Sequence, residues 1–344
     1  MYVMKKYRCF SLYSGGLDSM ISSHLMKSLG YEVILLTFRS EFFNKKSIPG
    51  KYNIKIGDFS FEQHIIEVTS EYIDILKKPK FGFGKNMNPC VDCKILFLSI
   101  AKNMMKDFNI DFLITGEVIG QRPKSQKSHP LKTILREADV KDILIRPLSL
   151  SHFPINKIEE NKIINRNDII NIISVEGRGR FKQIEYANKN NIKDYSSPGG
   201  GCFLTYADYC RKLRPLINEN NRDLIQYELL KTGRHFDISS NKLVLKKFIV
   251  GKNKEENQFI ENQKSGIIIK LEEAIPGPLS ILLYPAFNED EWEIMSSIHL
   301  RYSDIDTERE YNFVIRNLYN NTKNIYKCNY NKQKGLELTE KFKL

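Results

Sequence analysis

Two apolar rhythms divide this chain. In the first half, short continuous apolar runs alternate with stretches of helical period. Residues 8–13 and 31–38 are too evenly apolar for a strand with one wet face. They read as strands of a parallel sheet covered on both sides. Between them, Leu17, Ile21, Leu25 and Leu29 share one helical face over residues 18–29. Further strands are expected at 64–68, 111–115 and 142–145, with helices at 70–76 and 91–106. Strand–helix alternation of this kind predicts an α/β fold with a doubly wound parallel sheet, its ligand site at the strands' C-terminal ends.

A polar, helical stretch runs from 156 to 190, a glycine-rich loop from 196 to 202, and a helical segment from 206 to 230. Beyond Thr232-Gly233 the character changes. Strands are expected at 243–250, 266–271 and 281–284, then helices at 289–302 and 308–318. Trp292, Met295, His299 and Tyr302 recur at helical spacing and read as core. The expected organisation is a nucleotide-binding domain over 1–160, a helical segment at 161–234 that carries the Cys202 loop into the catalytic region, and a smaller α+β domain over 235–344.

Composition narrows the class. The 344 residues are 41% hydrophobic and 27% charged, with net charge +12 and Lys+Arg 53 against Asp+Glu 41. That balance suits a polyanionic partner, although lysines spread along the whole chain also fit a merely Lys- and Asn-rich composition. No stretch is apolar enough to span a bilayer and none reads as a secretory signal, so the expectation is a cytoplasmic protein without membrane contact. Six cysteines in such a compartment point to metal or catalysis rather than a disulfide scaffold.

The most specific local signal is Ser14-Gly15-Gly16-Leu17-Asp18-Ser19, between the first strand and the first helix. A glycine turn there presents backbone N–H groups at a helix N-terminus, where phosphate binds. No Gly-Lys-Ser/Thr follows, so it is not a Walker A loop. Asp18 and Ser19 are placed to contact Mg²⁺ or pyrophosphate, or simply to cap the helix. Thr37, Phe38 and Arg39 end the second strand beside this turn, a place for the adenosine or for core packing. Gly116 ends a strand where a ligand can approach the backbone closely. Gln121, Arg122 and Gln126 follow as contacts for phosphate or a base. Arg178 and Arg180, set between glycines, suit RNA phosphate.

Cys90 and Cys93 stand three positions apart at an expected helix start, where the dipole should favour thiolate. Cys202 follows three glycines that free its loop to reach a partner. Three such thiols suit a [4Fe–4S] cluster with one iron left open, persulfide chemistry on Cys93 and Cys202, or a zinc site with Cys210 as fourth ligand. Cys9 reads as a core thiol, and Cys328 as incidental.

Ser14-Gly15-Gly16-Leu17-Asp18-Ser19, Asn88-Pro89-Cys90-Val91-Asp92-Cys93, Thr115-Gly116-Glu117, Arg146-Pro147-Leu148-Ser149 and Ser197-Pro198-Gly199-Gly200-Gly201-Cys202 together resemble the PP-loop ATP pyrophosphatases of the tRNA-thiolating type, the 2-thiouridylases and 4-thiouridine synthases. Cys90 stands where the 2-thiouridylase motif carries Asp, so the chain is similar to the branch with three cysteines. The segment Gly251-Lys252-Asn253-Lys254-Glu255-Glu256-Asn257 and the turn Ile275-Pro276-Gly277-Pro278 resemble the RNA-associated domain of NFACT proteins.

The first resemblance implies an ATP-dependent tRNA sulfurtransferase. ATP would lie on Ser14, Gly15, Gly16, Asp18, Ser19, Thr37, Phe38, Arg39 and Gly116. Asp18, Cys93 and Cys202 would be catalytic. Cys90, Cys93 and Cys202 would be cluster ligands, and Arg122, Gln126, Arg178 and Arg180 would contact RNA. It implies ATP, Mg²⁺ and a [4Fe–4S] cluster (with zinc or no metal as alternatives), and tRNA and a persulfide or sulfide donor as partners. A homodimer is one of the states it allows. The rival readings are an adenylating enzyme with an amine nucleophile and a non-catalytic metal- and RNA-binding protein.

Overall fold

The computed structural model describes residues 6–44, 47–196, 201–219, 222–239, 244–273, 275–305 and 307–344. The chain divides into two compact units, Met1–Thr205 and Tyr206–Leu344. The expected boundary near 232–236 therefore falls inside the second unit.

The first unit runs β1 (Arg8–Leu12), α1 (Leu17–Ser28), β2 (Glu32–Arg39), β3 (Gly50–Ile56), β4 (Phe59–Glu67), α2 (Thr69–Lys77), α3 (Cys90–Met104), β5 (Phe112–Thr115), α4 (Ser128–Glu137), β6 (Leu144–Ile145), then short helices α5 (Lys157–Glu160) and α6 (Arg166–Ile170), and α7 (Phe181–Lys189). Its sheet has the order β3-β4-β2-β1-β5-β6. All neighbours are parallel except β3 with β4. Both faces are buried: Cys9, Val33, Leu35, Phe112 and Ile114 enter the core shared with α1 and α7, while Phe10, Ile34, Leu36 and Leu113 point the other way. That is why the strands read as unbroken apolar runs.

The strand expected at 64–68 is the end of β4, but β3 and the hairpin it forms with β4 escaped the sequence reading. Its signal was Gly57-Asp58 between alternating residues, closing Ile56 onto Phe59. The topology matters for the site. From β1 the chain moves to β2 and β4 on one side, then returns to β5 on the other. The C-terminal ends of β1 and β5 therefore flank a switch point, where such sheets open a crevice.

The second unit contains α8 (Ala207–Asn218), α9 (Leu224–Glu228), β7 (Arg234–Asp237), β8 (Lys247–Val250), α10 (Lys254–Glu261), β9 (Ile267–Leu271), β10 (Ser280–Leu282), α11 (Glu289–Arg301), β11 (Glu310–Asn317), β12 (Thr322–Asn329) and α12 (Lys332–Phe342). Its antiparallel sheet has the order β12-β11-β9-β10-β8-β7. Phe248, Val250, Ile267, Ile269, Phe313 and Ile315 join Trp292 and Met295 in one core; Ile249, Ile268 and Ile281 join Leu229 and Ile260 in another.

The helix expected at 308–318 is strand β11. Tyr311, Phe313 and Ile315 are buried in alternation with the less buried Asn312, Val314 and Arg316, a period of two that prevails over the helical reading. Trp292, Met295 and His299 are buried, as expected. The strand expected from 243 begins at Lys247, and Leu243 lies outside the described residues. Among the described residues no helix is long and apolar enough to cross a membrane.

Candidate active site

The 14–19 turn leaves β1 at the switch point and enters α1. Gly15 adopts φ +71. Ser19 Oγ donates to the Gly16 carbonyl at 2.8 Å and lies 3.3 Å from Ser14 Oγ, which fixes the turn from within. Gly116, ending β5, is set against it: a Cβ there would lie 2.6 Å from the Asp18 carbonyl and the Ser19 nitrogen. Only glycine lets the end of β5 close on the first turn of α1 this way.

Asp18 is not a helix cap. Its carboxylate accepts from Gln121 Nε2 at 2.7 Å and Gln183 Nε2 at 3.4 Å, with Arg180 at 3.7 Å. Gln183, which the sequence reading passed over, is fully buried on α7, and neither glutamine's Oε1 has a hydrogen-bond partner. The carboxylate faces a cavity of about 440 Å³ lined by Ser14, Gly16, Ser19, Phe43, Asn44, Tyr72, Cys90, Cys93, Lys94, Phe97, Thr115, Gly116, Glu117, Arg122, Gln126, Arg180, Ser196 and Cys202, among others. One carboxylate beside a phosphate-shaped turn fits Mg²⁺, which takes most of its remaining ligands from water and phosphate.

All three expected cysteines reach this cavity. Cys90 and Cys93 occupy the first turn of α3, where the Cys90 thiol donates to Asn88 Oδ1 at 2.9 Å. Cys202 is positioned through its backbone: it bridges to Phe43, and Phe203 N donates to the Phe42 carbonyl at 2.9 Å. Met87 N to the Leu204 carbonyl (3.2 Å) and Asn86 Nδ2 to the Thr205 carbonyl (2.8 Å) then tie the Cys202 flank to the segment ahead of Cys90. Ser196 N donates to the Gly15 carbonyl at 3.0 Å. Residues 197–200 of the expected glycine loop lie outside the described residues, but its two ends are thus joined to the phosphate turn and to residues 42–43.

Burial works against the thiolates expected at the start of α3. Burial pushes the Cys93 thiol well up, and its hydrogen bond with Tyr72 only partly opposes this. Burial also raises Cys90, against the pull of Lys94, Arg122 and Lys124. A helix N-terminus favours thiolate by a fraction of the cost of desolvating it. Among the described residues, no group of three or more His, Cys, Asp or Glu side chains is arranged to hold a metal ion. In donor chemistry the three thiols fit a cluster with one iron left open, and they are one short of a structural zinc tetrahedron. Cys210 is buried in α8, Cys9 in β1 and Cys328 in β12.

Glu117 was legible in the sequence only as part of the Thr115-Gly116-Glu117 motif. It pairs with Lys94 and, at 2.8 Å, with Arg146 Nε, and accepts from Thr115 Oγ1 at 3.2 Å. Burial alone would raise its pKa, but the two cations hold it down at about 2. Lys94, one residue from Cys93, is thereby fixed in the cavity wall.

Other expected residues are engaged elsewhere. Thr37 donates to the Tyr13 carbonyl and accepts from Gln63. Phe38 stacks on Phe97 with centroids 4.3 Å apart, and Arg39 pairs with Glu41 and Glu67. Phe43, Asn44 and Phe97 line the cavity where those three residues were expected. Arg122 and the buried Gln126 line it too, whereas Arg178 is solvent-exposed.

Residues 5–170 match the family model described as thiamine biosynthesis protein (ThiI), and residues 233–338 match that of the NFACT protein RNA binding domain. A tRNA-specific 2-thiouridylase MnmA of Proteus mirabilis is 24% identical over 166 residues, 44% of this chain and 45% of that protein. A tRNA-specific 2-thiouridylase MnmA 2 of Clostridium botulinum is 30% identical over 157 residues, 42% of each. The match thus spans less than half the length of these curated relatives. Among solved structures, a 4-thiouridine synthetase–RNA complex with bound ATP shows 20% identity over 65% of this chain and 53% of that one, at TM-score 0.31. The resemblance read from the motifs, a PP-loop domain of the thiolating type ahead of an NFACT-like module, is borne out over these stretches.

Proposed function

We propose that this protein is an ATP-dependent tRNA sulfurtransferase that adenylates a uridine carbonyl oxygen and replaces it with sulfur. The observation that carries the reading is that the 14–19 turn and the thiols of Cys90, Cys93 and Cys202 line one cavity. An adenylating enzyme with an amine nucleophile has no use for those thiols.

Backbone N–H groups at the start of α1, with Ser14 and Ser19, would receive the ATP phosphates, and Asp18 would hold Mg²⁺ against them. The uridine oxygen attacks the α-phosphorus and pyrophosphate leaves, which turns the oxygen into part of a good leaving group, AMP. A sulfur nucleophile then takes the ring carbon and AMP departs. Lys94, locked by Glu117, supplies fixed positive charge where anionic oxygen and sulfur accumulate. Arg180 and Arg122 at the cavity supply further cations for phosphate. Cys90, Cys93 and Cys202 would be the residues that hold a [4Fe–4S] cluster, which when bound would activate the sulfur nucleophile. The sulfur donor class is sulfide or a persulfide.

The test is anaerobic incubation of protein, ATP, sulfide and unmodified tRNA, with thiouridine and AMP measured. Both products are expected. Alanine at Cys90, Cys93 or Cys202 should abolish thiouridine while ATP binding persists, and Asp18→Asn should abolish AMP formation. Absence of both products from the unaltered protein refutes the reading.

A further inference from the structure

Cys90 and Cys93 stand in hydrogen bonds of opposite sense. The Cys90 thiol donates to Asn88 Oδ1, a bond it makes only while it keeps its proton. The Cys93 sulfur accepts instead, from the phenol of Tyr72. A phenol O–H still serves a sulfur that has exchanged its proton for a metal or for a second sulfur atom, and serves an anionic sulfur better than a neutral one. The Cys93 bond therefore survives the chemistry proposed for this cavity, whereas the Cys90 bond has to break.

Tyr72 is fully buried on α2 and lines the cavity. Its hydroxyl is within electrostatic reach of Cys93, Cys202 and Cys90 alike. Its ring packs on Phe42, with centroids 5.6 Å apart, and meets Phe43 edge-on at 4.9 Å. Phe43 bridges to Cys202, and the Phe42 carbonyl accepts from Phe203 N. Helix α2 is fastened to the same segment, because Glu41 N donates to Thr69 Oγ1 at 3.1 Å. One side chain thus joins Cys93 on α3 to the segment that holds Cys202. Packing alone would be served by phenylalanine, and a buried hydroxyl costs free energy unless it is bonded. A neutral thiol is a weak acceptor, so this hydroxyl is well satisfied only when Cys93 is in its ligating or reacting form.

We propose that Tyr72 is a positioning residue for the sulfur step: its O–H holds the Cys93 sulfur at the cavity, and its ring holds the Cys202 segment beside it. The inference rests on the reading of this site as a sulfurtransferase and adds a residue to it. The outer partners of a ligating or reacting atom fix its direction, and hydrogen bonds to sulfur set how readily that sulfur gives up electrons. Tyr72 acts through Cys93 and has no part in adenylation, which takes place at the 14–19 turn.

The test compares the full chain with Tyr72→Phe, which keeps the ring and removes the donor, and with Tyr72→Leu, which removes both. Alkylation by iodoacetamide is followed cysteine by cysteine in the metal-free protein by mass spectrometry, with Cys90 as internal reference. Tyr72→Phe should slow Cys93 about threefold or more relative to Cys90 and leave Cys202 unchanged, whereas Tyr72→Leu should alter Cys202 as well. In the thiolation assay Tyr72→Phe should lower thiouridine formation about tenfold while single-turnover pyrophosphate release, which reports adenylation, holds. Thermal unfolding of each variant separates a lost bond from a lost fold. Unchanged Cys93 alkylation in Tyr72→Phe, or pyrophosphate release that falls in step with thiouridine, overturns the proposal. The alkylation readout needs neither ATP nor tRNA, so failure of the Tyr72 bond is told apart from failure of the sulfurtransferase assignment, which thiouridine and AMP formation by the unaltered protein read.

Discussion

At the scale of single residues, the site depends on one buried carboxylate. Glu117 sits between Lys94 and Arg146, and its folded pKa of about 2 lies below the usual carboxylate range. A depressed pKa contributes stability that is present above about pH 4.5 and is lost as the pH falls toward 2. Glu117→Gln leaves two cations in the cavity wall without their anion. It is expected to destabilise the protein by about 3 kcal/mol at pH 7, measured by denaturant unfolding, and the difference should shrink between pH 4.5 and 2. A constant difference across that range would show that the pairing is not its source. Glu117 was visible in the sequence only as a neighbour of Gly116, because its partners come from α3 and from the end of β6, far away along the chain.

At the scale of elements, short motifs did two different jobs. The 251–257 segment, read as an RNA-associated signature, is also a structural lock. Asn253 caps α10, Glu256 accepts from the Lys252 and Gly233 nitrogens, and Asn257 Oδ1 accepts from Leu279 N at 2.9 Å. A Cβ at Gly251 would lie 2.2 Å from that same Oδ1. Gly251→Ala and Asn257→Ala should each destabilise the protein by about 1–3 kcal/mol, and the double variant by clearly less than their sum. Additive losses in a double-mutant cycle would rule out this contact. The β11 segment teaches a related lesson: a helix was expected at 308–318, and Glu310–Asn317 is a strand. Strand pairing with β9 and β12 decided the matter, since Phe313 and Ile315 then reach the core beneath Trp292.

At the scale of the whole molecule, the compact units divide at Thr205–Tyr206, while the match to the RNA binding domain model begins at 233, where the linear reading put the change of character. The polar helix α8 and the turn at Leu229–Lys231 looked like an extension of the first half. Leu229 is nevertheless fully buried in the second unit's core with Ile249 and Ile281, and Glu219 accepts from Leu245 N. A chain of residues 206–344 should therefore fold with a cooperative thermal transition, and one of residues 235–344 should melt well below it. Leu229→Ala in the full chain should cost about 2–5 kcal/mol. Equal melting of the two fragments would return the boundary to 235.

The sequence by itself determined the α/β class of the first unit, the phosphate turn and the three cysteines, because each is written in contiguous residues: an apolar run, a glycine pair, a Cys-x-x-Cys spacing. Only the tertiary structure decided that Thr37, Phe38 and Arg39 are taken up by packing and ion pairs, that Asp18 is gripped by Gln121 and Gln183, and that burial pushes the Cys90 and Cys93 thiols up. Those outcomes depend on distance and desolvation between segments up to 165 residues apart, which no local pattern encodes.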